Sequence, residues 1–227
     1  MIDIHSHILH GVDDGSPDLE RSLAMLIEEE KQGVTDVVLT PHYRADYLPK
    51  SSDLREKFAE LKSYAVQKGV NVRLHLGQEI YVFEDIVKAL KDGKVLSFNG
   101  GKYILVEFSA KHFNDISEAV YLLVKNGYVP IVAHLGRYFY ANVETAREVK
   151  ELGGLVQINA SSICGPFIFR RKAIAMIKAG LVEFVASDVH FNRKNLMLKA
   201  YKKIEKKVGK ETADKLFTEN AKAIVAN

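Results

Sequence analysis

The sequence predicts an α/β fold in which a parallel sheet closes into a (β/α) barrel. Two observations carry this. Short runs rich in Val, Ile and Leu alternate with longer amphipathic stretches, the pattern of a parallel sheet covered by helices on both faces. The polar residues that interrupt the pattern fall at the C-terminal ends of the apolar runs. An open sheet would spread those ends along a line, whereas a closed ring brings the first and the last of them to one centre.

Strands are expected at residues 2–6, 35–40, 72–77, 103–108, 130–134, 155–159 and 182–187. Ser16 followed by Pro17 reads as an N-cap with proline at the first helical position, opening a helix that runs to about Gln32 and stops at Gly33. Further helices are expected over 52–68 before Gly69, 114–126 before Gly127, 143–152, 166–179 before Gly180, 195–208 and 211–225. Seven strands and about as many helices in 227 residues leave little room for a second unit, so residues 1–227 are read as a single domain.

Composition excludes several classes. With 47% hydrophobic and 27% charged residues, the chain is neither disordered nor fibrous. A net charge of +3 is too small to suggest a nucleic-acid or anionic-membrane binder. The one cysteine, Cys164, forbids an internal disulfide. No apolar stretch is long enough to span a membrane, and the opening residues do not read as a secretory signal, so a cytoplasmic protein is expected. No glycine-rich phosphate loop follows any expected strand.

The strand ends carry His5 and His7, then His42, Glu79, Glu107, His134, and finally Asp188 and His190, with Asp13 and Asp14 in the loop after the first strand. Residues two apart on an extended chain point the same way, so His5 and His7 can reach one ion, and Asp188 with His190 repeats the spacing. A carboxylate at the end of a long apolar strand needs a partner to remain ionised. Each residue alone has an ordinary structural explanation. Five of the eight histidines on these ends, with carboxylates on the same ends, make a metal site the better reading. Counting Asp14 of the loop pair with the eight strand-end residues gives nine N/O donors, which exceed what one ion takes and suit two or three divalent ions, with zinc, manganese and iron all compatible. His10, His75 and His112 fall outside the pattern and are expected to be structural or solvated. Cys164 and Arg170 have the C-x5-R spacing of cysteine-dependent tyrosine phosphatases. Pro166 and three bulky apolar residues between them argue against a phosphate-binding loop.

The stretches Ile2-Asp3-Ile4-His5-Ser6-His7, Gly11-Val12-Asp13-Asp14-Gly15-Ser16, Thr40-Pro41-His42-Tyr43, Gly77-Gln78-Glu79-Ile80-Tyr81, Val106-Glu107-Phe108, Ala133-His134-Leu135-Gly136-Arg137-Tyr138 and Ala186-Ser187-Asp188-Val189-His190 span almost the whole chain. In them the sequence resembles the polymerase-and-histidinol-phosphatase (PHP) superfamily. Within it, the resemblance is to the bacterial metal-dependent tyrosine-protein phosphatases of capsule and exopolysaccharide synthesis. The resemblance implies a distorted, TIM-like barrel of seven strands with a trinuclear centre, manganese being preferred and iron or zinc admissible. It implies that His5, His7, Glu79 and Asp188 hold one ion, that Glu79 bridges to a second held with Glu107 and His134, and that Asp14, His42 and His190 hold the third. It makes Arg137 the phosphate contact, with Arg193 as a candidate second one. It implies a hydroxide bridging two ions as nucleophile, and a phosphotyrosine protein as substrate, such as a bacterial tyrosine kinase associated with the membrane. Tyr43, Tyr81, Tyr138 and Tyr140 are candidates to flank the aryl ring. The sequence departs from the family pattern at Gly136, in the short stretch 188–193, and at Ala221. Alternatives are a histidinol-phosphate or other small-molecule phosphatase, a phosphodiesterase or exonuclease, and a non-catalytic regulatory module.

Overall fold

The computed structural model describes residues 1–226. Seven strand positions follow one another around a ring. The first is β1 (Ile2–Ser6). The second is made of β2 (Asp36–Leu39) and β3 (His42–Tyr43), the third of β4 (Arg73–Leu76) and β5 (Glu79–Tyr81). Then come β6 (Tyr103–Glu107), β7 (Val129–Val132), β8 (Leu155–Asn159) and β9 (Phe184–Ala186). All pairings are parallel, in sheets of order β1-β2-β4 and β3-β5-β6-β7-β8-β9. The far edges meet where Ser6 pairs with Val189. There the His7 N–H donates to the Val189 carbonyl at 3.0 Å and the Asp188 N–H to the His5 carbonyl at 2.9 Å. The last strand is thereby stitched to the first.

All seven expected strands are present, but the second and third are each broken in two. Pro41 has no N–H to give a ladder. At Gly77 an added Cβ would lie 2.3 Å from Phe98 Cδ1, so the backbone passes directly over that ring. The ladder steps across both breaks: the Gly77 N–H donates to Leu39 at 2.9 Å and the Glu79 N–H to Pro41 at 3.1 Å. The step sets His42 beside Glu79 in register.

Helices cover the outside: α1 (Leu19–Lys31), α2 (Ser51–Gln67), α3 (Ile86–Lys91), α4 (Ile116–Lys125), α5 (Val143–Glu151), α6 (Ala160–Cys164), α7 (Phe167–Lys178), α8 (Met197–Val208), α9 (Lys210–Asp214) and α10 (Lys222–Val225). The expected cap at Ser16 is corrected. The Ser16 N–H is bound back to the His7 carbonyl at 3.0 Å, so helix α1 starts later, with the Asp18 carboxylate accepting from the Arg21 N–H. Gly33 ends the helix at φ +82°, a conformation that costs glycine little. The short α3 and α6 were not expected, because five or six residues are too few to show a helical period. The expected terminal helix is broken into α9, a π-helical turn at Lys215–Glu219, and α10.

The core has two parts. One packs the strands against the surrounding helices. The other fills the ring with Ile2, Ile4, Val38, Leu105, Ile131 and Phe184, closed by Phe98 and Ile224. With this end packed solid, the polar cluster occupies the ends at which the strands finish.

Candidate metal centre

The nine candidate ligands converge. His5 Nε2 lies 3.2 Å from His7 Nε2, 3.3 Å from Glu79 Oε1 and 3.6 Å from Asp188 Oδ1. His134 Nε2 is 2.9 Å from Glu79 Oε1 and 3.5 Å from Glu107 Oε1. His42 and His190 each bring Nε2 to 3.4 Å from Asp14 Oδ1. Donor atoms lie within 4.8 Å of one another in three groups: His7, Asp14, His42 and His190; His5, His7 and Glu79; and His42, Glu79 and Glu107. Glu79 on β5 is central, touching His5, His7, His42 and His134.

The backbone contributes to this convergence. His134 and Asp188 have φ of +35° and +52°, the left-handed region that non-glycine residues seldom adopt. Each follows the end of its strand, β7 or β9, and the turn directs the chain into the centre. Such a residue costs on the order of 1–3 kcal/mol, and strain of this kind concentrates at functional sites.

The electrostatics favour a cation. Burial would raise the carboxyls of Glu79 and Asp188, yet the surrounding histidines hold both well below the usual carboxylate range. Burial, then the Glu79 charge, pushes Glu107 up to about 8. Burial would lower His7, but Asp13 holds it well above its ordinary value, while burial and the charge on His7 bring His190 down to about 4. Without a metal, protonated histidines must balance the carboxylates. A bound cation provides the same balance and leaves the imidazole lone pairs free to bind it. The hydrogen bonding agrees: Glu107 Oε2 and His134 Nδ1 are buried without a hydrogen-bond partner, and His42 Nδ1 and Glu79 Oε2 lie 2.9 Å apart without forming a hydrogen bond. Imidazole and carboxylate donors with no thiolate suit zinc, manganese or iron alike.

Three arginines border the cluster. Arg137 Nη1 donates to Asp188 Oδ2 at 2.9 Å, and Arg193 Nη1 lies 3.8 Å from the same oxygen. Arg44, which the sequence did not single out, is 3.5 Å from Asp14 and lies over the Tyr47 ring. Of the candidate aromatics, Tyr138 is buried, its hydroxyl accepting from the Phe108 N–H at 3.0 Å, so it packs and does not line an opening.

A supporting layer lies behind the donors; of its members the sequence offered only Asp13, and as a possible oxygen ligand beside Asp14. Asp13 Oδ2 accepts from His7 Nδ1 at 2.7 Å and from the His42 N–H at 2.9 Å. Gln157 Oε1 accepts from the His134 N–H at 2.7 Å, Gln157 Nε2 donates to Asn159 Oδ1, and Asn159 Nδ2 donates to Asp188 Oδ2 at 2.6 Å. Asp3 accepts from the Ser187 hydroxyl and N–H, locking β1 to β9 beneath the cluster. The available signal was polarity at positions inside apolar strands, as in Leu155-Val156-Gln157-Ile158-Asn159. His10 and His75 pair with Glu60 and Asp36, away from the cluster, and His112 is exposed. Cys164 ends α6 while Arg170 lies within α7, so the two do not share a phosphate loop. Burial raises the thiol, the opposite of what a nucleophilic thiolate needs.

Residues 1–226 match the family described as "Capsular polysaccharide synthesis, CpsB/CapC". The chain belongs to the CpsB/CapC family. It is 35% identical to the tyrosine-protein phosphatase CpsB of Streptococcus agalactiae, over 100% of this chain and 99% of that one. It is 33% identical to the tyrosine-protein phosphatase YwqE of Bacillus subtilis, over 100% and 92%. Among solved structures it superposes on one from a study of YwqE from B. subtilis and CpsB from Streptococcus pneumoniae, described as unique metal-dependent tyrosine phosphatases. The TM-score is 0.87 at 30% identity, over 94% of this chain and 90% of that one. A histidinol phosphate phosphatase from Lactococcus lactis shares the fold, with a TM-score of 0.60 at 14% identity, over 91% of this chain and 94% of that one. No helix among the described residues is long and apolar enough to cross a membrane.

Proposed function

We propose that this CpsB/CapC-family protein is a metal-dependent tyrosine-protein phosphatase of capsular or exopolysaccharide synthesis. The observation that carries this is the convergence of seven imidazole and carboxylate side chains into three close groups, with His134 and Asp188 against Glu79 and His5, beside the Arg137 guanidinium. His5, His7, Glu79 and Asp188 would hold one ion, Glu79, Glu107 and His134 a second, and Asp14, His42 and His190 a third. Manganese is the foremost candidate, and iron and zinc suit the same donors. Divalent ions so held supply a water whose pKa falls toward neutrality and a counter-charge for the phosphoryl oxygens.

The chain's own residues do the rest. Arg137 presents a planar fork that matches two phosphoryl oxygens and offsets the charge growing on them in the transition state. Arg193 is a second contact on the same side. Asp13 fixes the orientation of the His7 ring, while Gln157 accepts from the His134 backbone N–H and lies 3.3 Å from His5 Nδ1, keeping the constellation in place before substrate arrives. A tyrosyl oxygen, with a conjugate acid near pKa ~10, leaves without a strong protein acid. The substrate of this reading is a phosphotyrosine protein, a membrane-associated bacterial tyrosine kinase foremost. Phosphotyrosine is made from a nucleoside triphosphate, so the cytoplasm is where substrate and enzyme would meet.

The test is phosphate release by the manganese-loaded protein from a phosphotyrosine peptide and from histidinol phosphate, side by side. Faster turnover of the peptide supports the proposal. Turnover of histidinol phosphate alone would assign the same chemistry to a small molecule.

A further inference from the structure

Four large apolar side chains stand in solvent beside the cluster. Phe113 is 78% exposed, Phe139 71%, and Phe167 and Ile168 68% each. They come from three segments that follow β6, β7 and β8. A single exposed apolar residue needs no explanation, but a contiguous group on one face does.

The segments are laced together. The Phe139 N–H donates to the Ala110 carbonyl at 3.3 Å, and the Tyr140 hydroxyl to the Ser109 carbonyl at 3.0 Å. The Phe113 ring meets Tyr140 edge-on at 5.6 Å, and the Phe139 ring lies 6.4 Å from Phe169, in the segment that carries Phe167 and Ile168. Lys172 donates to the Tyr138 carbonyl. Beneath them Tyr138 packs on His134 at 5.6 Å, and Phe139 is two residues from Arg137. The apolar group therefore begins at the edge of the metal cluster and extends outward.

Charge narrows the occupant. Residues 109–114, 137–142 and 165–171 hold no aspartate or glutamate and four basic residues: Lys111, Arg137, Arg170 and Arg171. Exposed aromatics interleaved with arginine, and depleted of acids, are the composition of a protein-binding surface for an anionic partner.

We infer that this surface is a docking platform for the polypeptide flanking the phosphotyrosine, selecting substrates with apolar and acidic residues beside it. The inference rests on the phosphatase reading and deepens it: the metal cluster takes the phosphoryl group, and the platform takes the chain that carries it. A membrane also accepts aromatic and basic side chains. A polypeptide is favoured because the platform is continuous with the site where the phosphate ester must enter.

The test compares wild type with the triple variant Phe139→Ser, Phe167→Ser, Ile168→Ser, both loaded with manganese. Hydrolysis is measured on para-nitrophenyl phosphate and on a phosphotyrosine peptide flanked by leucine and glutamate. Affinity for the same peptide is read by fluorescence anisotropy, which does not depend on turnover. The expected result is para-nitrophenyl phosphate turnover within about twofold of wild type, with peptide KM and dissociation constant both raised about tenfold. A tenfold change corresponds to about 1.4 kcal/mol. Equal loss on both substrates, or no change in peptide affinity, overturns the platform. So does unchanged peptide affinity with lost sedimentation on anionic phospholipid vesicles, which makes it a membrane contact, or with a shifted gel-filtration volume, which makes it a self-association surface. Wild type that binds the peptide through the platform but hydrolyses neither substrate would leave the platform standing and overturn the phosphatase reading.

Discussion

Asp13 Oδ2 sits 2.7 Å from His7 Nδ1, and this contact decides which nitrogen of His7 faces the cluster. Burial would raise the Asp13 carboxyl, but His7 and two backbone N–H groups hold it down at about 2. An ionised Asp13 can only accept, so Nδ1 carries the proton and Nε2 is left for a metal. Asp13→Ala should lower metal affinity roughly 10- to 100-fold with the fold intact. Calorimetric titration of the stripped protein with manganese, beside circular dichroism, checks this. Unchanged affinity would reduce Asp13 to a loop staple.

Arg137 is expected to act on turnover more than on metal content. Its Nη1 contact with Asp188 at 2.9 Å places it at the edge of the donor set. Arg137→Ala should lower kcat/KM on para-nitrophenyl phosphate roughly 100-fold, the scale for removing one transition-state donor. Arg137→Lys keeps the charge but not the fork and should recover only part of the loss. Steady-state kinetics with metal analysis of each variant separates this from loss of the ions.

Cys164 should be dispensable. Its thiol is half-buried and raised by burial, and it ends a helix away from any phosphate-binding loop. Cys164→Ser is expected to keep kcat/KM within about twofold, since a small buried polar swap costs little when no partner is lost. Abolished hydrolysis with metals still bound would contradict the metal-centred account.

Glu29 gives stability a dependence on pH. It is fully buried on α1, and neither carboxylate oxygen has a hydrogen-bond partner. Burial, then the Asp3 charge, raises it well above its ordinary value, with Asn195 acting weakly the other way. An acid raised on folding stabilises least where the unfolded chain has already ionised. Its contribution therefore falls as pH climbs from the unfolded value of about 4.3 toward the folded one. Glu29→Gln mimics the protonated form and should flatten the fall in melting temperature as pH climbs above about 5. Parallel slopes for variant and wild type would place the pH dependence elsewhere.

The sequence was informative wherever a local pattern forces a structure. Seven apolar runs became seven parallel strand positions, and residues at their C-terminal ends became neighbours because a closed ring leaves them nowhere else to go. His5 and His7 were legible as a same-side pair from their spacing, and as part of a cluster only together with the other strand-end residues. What stayed hidden depends on contacts distant in sequence. Asp13 and Asp14 are adjacent and chemically alike, yet one is buried behind His7 and the other stands at the opening between His42 and His190. Gln157 and Asn159 support residues more than twenty positions away. The positive φ of His134 and Asp188 has no signature in the sequence, since histidine and aspartate enter that region only occasionally. The exposed aromatics after β6, β7 and β8 carry no local pattern that marks them, and only their placement shows them facing water.

The central claim is that these nine side chains hold the metal ions on which hydrolysis depends. The most direct measurement is manganese content per chain, by elemental analysis, together with hydrolysis of a phosphotyrosine peptide, in stripped and reloaded wild type and in Glu79→Gln. Glu79 touches four of the five clustered histidines, so its replacement should disturb the centre most. The account predicts no turnover when stripped, recovery that saturates with about three ions per chain, one for each donor group, and loss of both ions and turnover in Glu79→Gln. Full turnover by the stripped protein, or an unchanged metal content in Glu79→Gln, would contradict it.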